Sequence, residues 1–154
     1  MIADDHWLEC RPAVAADLDV VADVWHESAK AMDGAPRELP TRDDLRSRID
    51  RELLPGWDLH VAIQDGEIVG ILALKPAEAI LDQLFVRPCA QRRGAGLTLL
   101  KTAMENMPEG FTLRTASVNR SARSFYQKAG LKLLGEGSHP RTGAPVCIYG
   151  WRGG

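Results

Sequence analysis

Leu81-Asp82-Gln83-Leu84-Phe85-Val86-Arg87-Pro88-Cys89-Ala90-Gln91-Arg92-Arg93-Gly94-Ala95-Gly96-Leu97-Thr98-Leu99-Leu100-Lys101 is the most informative stretch of this chain. It begins as a strand, apolar and β-branched up to Val86, and stops at Pro88. It ends as a helix, because Leu97, Leu100 and Met104 recur at helical spacing. Between the two lie Gln91, Arg92, Arg93, Gly94, Ala95 and Gly96. A helix start leaves backbone N–H groups unpaired, and its dipole favours anions. Glycines let a phosphate approach the main chain, and arginines add positive charge. The residues therefore read as a pyrophosphate cradle. A P-loop needs Gly-x-x-x-x-Gly-Lys-Ser/Thr, which is absent. A dinucleotide fingerprint needs Gly or Ala three residues after Gly96, where Leu99 stands.

The composition sets the frame around this loop. The chain has 154 residues, enough for one domain, 1–154, with a sizeable core. Net charge is −2, so no strong field for nucleic acid or an anionic membrane is expected. No apolar run approaches a membrane span, and Met1 to His6 lack the features of a signal peptide; the expected location is the cytoplasm. Cys10, Cys89 and Cys147 are odd in number and far apart, so neither a disulfide framework nor a metal site is expected. Cys10 and Cys147 read as strand residues, and Cys89 as a bystander thiol in the loop.

Outward from the loop, Trp7 to Arg11 reads as a first strand halted by Pro12. Asp17 opens a helix towards Met32, with Leu18, Val21, Ala22, Val24 and Trp25 mostly on one face, and Gly34 and Pro36 break it. Thr41 is an N-cap for a second helix, whose Leu45, Ile49 and Leu53 form an apolar stripe. Leu59 to Ile63 and Glu67 to Lys75 form a hairpin around Asp65-Gly66. The central strand, Ala79 to Val86, leads through the loop to a third helix, about Arg93 to Asn106. Phe111 to Ser117 is the next strand. A fourth helix runs from near Asn119 to Gly130, with Ala122, Phe125 and Ala129 as its buried face. Leu131 to Leu134, a polar loop Gly135 to Gly143, and a last strand Ala144 to Trp151 complete the chain. The order predicts an α/β fold: a mainly antiparallel central sheet of six to seven strands with helices on both faces.

Two motifs give this order a name. Gln91-Arg92-Arg93-Gly94-Ala95-Gly96, after a strand ending Leu84-Phe85-Val86, resembles the coenzyme A loop of the GNAT N-acetyltransferase superfamily. Asn119-Arg120-Ser121-Ala122-Arg123-Ser124-Phe125-Tyr126-Gln127-Lys128-Ala129-Gly130-Leu131 is similar to that family's Asn-x-x-Ala-x-x-Phe-Tyr-x-x-x-Gly-Phe signature, departing only at Leu131. The element order resembles the GNAT fold over almost the whole chain. The resemblance implies direct transfer from acetyl-CoA to a primary amine of a small molecule or peptide, with coenzyme A as co-substrate and no metal. A non-catalytic acyl-CoA-binding sensor is the alternative. Some members dimerise through sheet edges, and a homodimer stays open here.

The resemblance also distributes roles. The main chain of Leu84, Phe85 and Val86 would pair with the pantetheine arm. Gln91, Arg92, Arg93, Gly94, Ala95 and Gly96 would hold the pyrophosphate. Asn119 would contact the pantetheine, and Tyr126 would protonate the leaving thiolate while Phe125 turns into the core. In the ribosomal-protein-type members a glutamate base lies on the strand before the Asn motif; here Arg114 stands at that position. Asp82 is then the best carboxylate on the central strand. Expected on the same face as Leu84, it would act through a water; the other reading is that it caps or pairs structurally. His139 in the loop before the last strand, and Trp25, His26 and Glu27 on the first helix, would border the acceptor. The acidic residues Glu27, Asp33, Glu38, Asp43 and Asp44 would suit a cationic acceptor.

Overall fold

The computed structural model describes residues 8–35, 38–53, 55–91 and 93–153. Its strands are β1 (Leu8–Pro12), β2 (Asp58–Gln64), β3 (Glu67–Lys75), β4 (Ile80–Val86), β5 (Gly110–Ala116), β6 (Lys132–Ser138) and β7 (Pro145–Arg152). The helices are α1 (Leu18–Ala31), α2 (Arg42–Leu53), α3 (Ala95–Asn106) and α4 (Arg120–Lys128). The strands form one sheet in the order β1-β2-β3-β4-β5-β7-β6. Every pairing is antiparallel except β4 with β5.

Local chemistry accounts for most element boundaries. Asp65 and Gly66 both have positive φ, 53° and 82°, as a two-residue turn matched to strand twist requires. Thr41 Oγ1 accepts from the Asp44 N–H at 3.1 Å, and Asp44 Oδ2 accepts from the Thr41 N–H at 3.0 Å, a reciprocal cap on α2. Pro12 does not stand outside β1 but is its last residue, opposite His60; β1 is an edge strand, so the missing N–H costs no ladder bond there. Trp7 lies outside the described residues. β6 continues to Ser138 rather than stopping at Leu134. Gly135 and Gly137 hide it from a propensity reading, and a bulge after Leu133 breaks its alternation. Cys10 lies in β1 and Cys147 is buried in β7, while Cys89 is exposed in the turn after β4.

The two sheet faces carry separate apolar clusters. Val21, Val24 and Trp25 of α1 and Leu45 and Ile49 of α2 pack with Trp57, Val61 and Ile71 on one face. Leu99, Leu100 and Ala103 of α3 pack with Leu72, Leu81, Phe111, Leu113, Tyr126 and Tyr149 on the other. Among the described residues no helix is long and apolar enough to cross a membrane.

The central strand β4 is irregular in two places. First, β4 and β5 pair at a single register position, Ile80 opposite Thr112, where the Thr112 N–H also reaches Ala79 O at 3.0 Å. Beyond that point the parallel strands splay and leave a wedge in the sheet. Second, Gln83 pairs with Ala73 and Leu81 with Leu74, so Asp82 is the extra residue of a β-bulge.

Candidate active site

The wedge exposes one edge of β4. The Arg87 N–H bonds Val69 O at 2.8 Å, towards β3. By strand alternation the main chain of Phe85 faces β3 too, and that of Leu84 and Val86 faces the wedge. Of the three expected pantetheine partners, Leu84 and Val86 therefore present main-chain groups, and Phe85 is spent on the sheet. Its ring stacks near Trp25, centroids 6.4 Å apart. Val86 O already accepts from Ser28 Oγ and from Gln91 Nε2, both at 3.1 Å, leaving the Val86 N–H as its donor to the wedge. Gln91 thus ties the loop back to β4 through one amide N–H.

At the mouth of the wedge α3 begins. Gly94 is its N-cap in the left-handed region, φ 92°, and no side chain caps the helix. The first intrahelical bond runs from the Thr98 N–H to Gly94 O, so the N–H groups of Ala95, Gly96 and Leu97 point out of the helix start without helical partners. This arrangement suits a phosphate. Arg93 is exposed beside it, and Arg92 lies outside the described residues. A Cβ at Gly96 would lie 3.4 Å from Phe125 Cζ and 3.9 Å from Val86 Cγ2, in ordinary contact with the edge of α4.

The second motif lies across the wedge. Asn119 is the N-cap of α4, its Oδ1 accepting from the Ala122 N–H at 3.2 Å. Asn is among the favoured N-cap residues, so this role was open to sequence reasoning; the Nδ2 donor is left over for a ligand. Tyr126, not Phe125, is the buried residue of α4, 7% exposed, with Phe125 half-buried against Gly96. The Tyr126 ring meets Phe125 edge-on at 5.3 Å and Tyr149 at 6.1 Å. No described residue hydrogen-bonds its hydroxyl. Burial pushes this phenol well above its usual range, so it is a proton-bearing donor at any physiological pH. Tyr149, to which no sequence motif pointed, is fully buried and anchors α4. Its hydroxyl accepts from Arg123 Nε at 3.1 Å and Gln127 Nε2 at 3.3 Å.

Asp82 does not share a face with Leu84. Leu84 packs with the α3–α4 cluster, whereas Asp82 Oδ2 accepts from Trp57 Nε1 at 2.9 Å on the α1–α2 face. The bulge supplies the reason: one extra residue reverses the alternation. Lys75 Nζ stands 3.9 Å from the same oxygen. Because β4 and β5 are parallel and Ile80 stands opposite Thr112, Asp82 is level with Arg114 where the strands part. Phe111 and Leu113 face the α3–α4 cluster, which turns Arg114 to Asp82's face.

Several other expected acceptor residues are engaged elsewhere. Trp25 is core. Glu27 pairs with Arg87, which also donates to Ile68 O. Asp33 accepts from the Ser121 N–H and Oγ, Asp43 pairs with Arg42, and Asp44 caps α2. Of the acids expected to suit a cationic acceptor, Glu38 is exposed and has no partner among the described residues. His139 sits in the β6–β7 turn. Its Nδ1 accepts from the Arg141 N–H at 3.1 Å and the Thr142 N–H at 3.4 Å, which puts the ring proton on Nε2. Burial first, then the fields of Arg114, Arg141 and Arg48, hold its pKa below the ordinary value.

Comparison with known proteins agrees with this geometry. A family model described as an acetyltransferase (GNAT) domain matches residues 29–140. The peptidyl-lysine N-acetyltransferase YiaC of Escherichia coli is 28% identical over 141 residues, covering 92% of this chain and 94% of YiaC. The uncharacterized N-acetyltransferase YhfO of Bacillus subtilis is 37% identical over 82 residues, 46% of this chain; the match spans about half of YhfO, 55% of its length. A phosphinothricin acetyltransferase from Sinorhizobium meliloti, solved in complex with acetyl-CoA, superposes with a TM-score of 0.73 at 17% identity, covering 96% of this chain and 89% of that one.

Proposed function

The chain belongs to the GNAT acetyltransferase family, enzymes that take an acetyl group from acetyl-CoA, and on that premise we propose that it acetylates a primary amine directly, with a lysine of a peptide as acceptor. The observation that carries this is the wedge between β4 and β5, with an uncapped helix start at its mouth and, on the helix that follows β5, a tyrosine hydroxyl that no described residue bonds. The N–H groups of Ala95, Gly96 and Leu97, with Arg93 and Arg92, hold the pyrophosphate. The main chain of Leu84 and the Val86 N–H pair with the pantetheine arm as an added strand would, and the Asn119 amide adds a donor.

Coenzyme A supplies the activated acetyl group; this chain's residues hold and move the charges. A wedge-facing N–H of β4 stabilises the thioester oxygen as it gains charge. A lysine amine titrates near ~10.4 and must lose a proton before it attacks. Asp82 receives that proton through a water: Oδ2 is held by Trp57, Oδ1 is available, and the bulge aims the carboxylate to the face opposite α3 and α4. Tyr126 serves the leaving sulfur. A phenol near ~10 is a weaker acid than a thiol near ~8.5, and burial weakens it further. Complete proton transfer is therefore uphill, and Tyr126 acts as a hydrogen-bond donor to the departing thiolate. A silent acyl-CoA sensor has no use for such a donor.

The test is an acceptor screen of lysine peptides and small amines, read by free-thiol release and by mass spectrometry of the acceptor. Acetyl on a lysine Nζ is the expected product. Tight coenzyme A binding with no thiol release above spontaneous hydrolysis, across the whole panel, would overturn the catalytic reading in favour of the sensor.

A further inference from the structure

Arg48 is the odd arginine of this structure. Among the described residues, the other partly buried arginines all have acceptors. Arg11 pairs with Asp17, Arg42 with Asp19, Asp23 and Asp43, Arg46 with Asp19 and Asp50, and Arg87 with Glu27. Arg123 donates to Tyr149 Oη and Ser117 O. Arg48 makes no hydrogen bond and no ion pair with any described residue; its guanidinium lies over the Trp25 ring, 5.2 Å from the centroid. A guanidinium keeps its charge and its donor fork when half-buried. That fork is open to solvent and engaged by no acceptor among the described residues, and its natural complement is a planar anion.

Arg48 does not stand alone. Arg141 of the β6–β7 turn lies close enough to oppose its charge, as Asp82 does to favour it. Arg114, on the exposed side of β5, has no ion pair among the described residues either. His139 feels Arg114, Arg141 and Arg48 together, so α2, β5 and the β6–β7 turn bring their cations to one place. The imidazole adds an Nε2–H donor, its Nδ1 being occupied. Two carboxylates face Arg48: Asp82, already bound to Trp57, and Glu52, which lies 3.8 Å from Lys75 Nζ. The convergence lies on the face where the bulge aims Asp82, opposite the helix start and Tyr126.

We propose that the amine acceptor carries a carboxylate, received by Arg48, Arg114 and Arg141 on the acceptor side of the wedge. This deepens the function proposed above and rests on the amine reaching the wedge from that side. Its two sources are an acidic side chain flanking the reactive lysine and the α-carboxylate of a free amino acid. An arginine fork binds both in the same bidentate manner. Near Asp82 a bound carboxylate also places the ammonium group between opposite charges, which orients the amine towards its base.

The experiment compares matched lysine peptides flanked by Asp, Asn or Lys, and free amino acids against their amides. The expected result is a kcat/KM at least about 10-fold higher for the carboxylate-bearing member of a pair, shrinking as ionic strength rises. The peptide pair and the amino-acid pair tell the two sources apart. Arg48→Glu should reverse the peptide ranking towards the Lys-flanked sequence, and Arg48→Lys should restore part of the original preference. Coenzyme A affinity reports that each variant is folded. A second readout needs no turnover: the His139 imidazole, followed by NMR, should titrate at higher pH with the Asp-flanked peptide bound than with the Asn-flanked one. If that shift appears while no acceptor is acetylated, the carboxylate site stands and the catalytic reading falls. Equal kcat/KM across the pairs, or a preference that survives Arg48→Glu, overturns the inference.

Discussion

Replacing Tyr126 by Phe removes one oxygen and leaves the ring in its cluster with Phe125 and Tyr149. The hydroxyl has no described partner, so its loss breaks no hydrogen bond of the fold. With no bond of the fold lost and the ring kept in place, the variant should melt close to the wild-type temperature. The catalytic effect is the larger one. A hydrogen bond to a charged group contributes about 1.5–3 kcal/mol. At about 1.4 kcal/mol per tenfold, its loss slows thiolate departure by roughly 10- to 150-fold. The assay is single-turnover acetyl transfer at saturating acetyl-CoA and acceptor, beside calorimetric coenzyme A binding, which should not change. The loss should fall on kcat and kcat/KM alike, because the bond forms only as the sulfur gains charge. Wild-type turnover where chemistry limits the rate would refute the role. A drop in melting temperature of several degrees would show instead that the hydroxyl belongs to the core.

Three further perturbations probe the same geometry. Asp82→Asn can still accept from Trp57 Nε1, so it isolates the charge: turnover should fall and the acid limb of the pH–rate profile flatten at constant coenzyme A affinity, and an unchanged limb would pass the base to His139 or solvent. Gly96→Val adds a branched side chain beside the Phe125 ring at the start of α3, so it should lower coenzyme A affinity; retained affinity would remove this helix start from the site. Asp17 is held below the usual carboxylate range, first by Arg11 and also by the Val14 N–H, against the opposing effect of burial. A depressed folded-state value stabilises above the unfolded value of ~3.9, so the stability gap between wild type and Asp17→Ala should be full at neutral pH and close as the folded-state pKa is crossed in acid.

The sequence by itself determined the elements and the two motifs, because both are local. Period-two and helical alternation, Asp65-Gly66, Thr41 with Asp44, and the glycines beside Arg93 act through neighbours a few residues away, and those neighbours are written in order. Where alternation is interrupted, local reading failed. The bulge at Asp82 sends its carboxylate to the opposite face from Leu84, and glycines conceal the second half of β6. Bulges are set by pairing register, which depends on the partner strand rather than on the residue concerned. Tyr126 and Phe125 exchange their expected burial because α4 leans on Gly96 and Tyr149, contacts separated by tens of residues. Only the tertiary structure brings together the groups on which the proposed acceptor side rests. Arg48, Arg114, His139 and Arg141 come from three separate elements, and of the acids that suggested a cationic acceptor, Glu27 is paired with Arg87 and Asp33 is hydrogen-bonded by Ser121. Charge recognition depends on which ions are left unpaired after folding, and that is a property of the assembled chain.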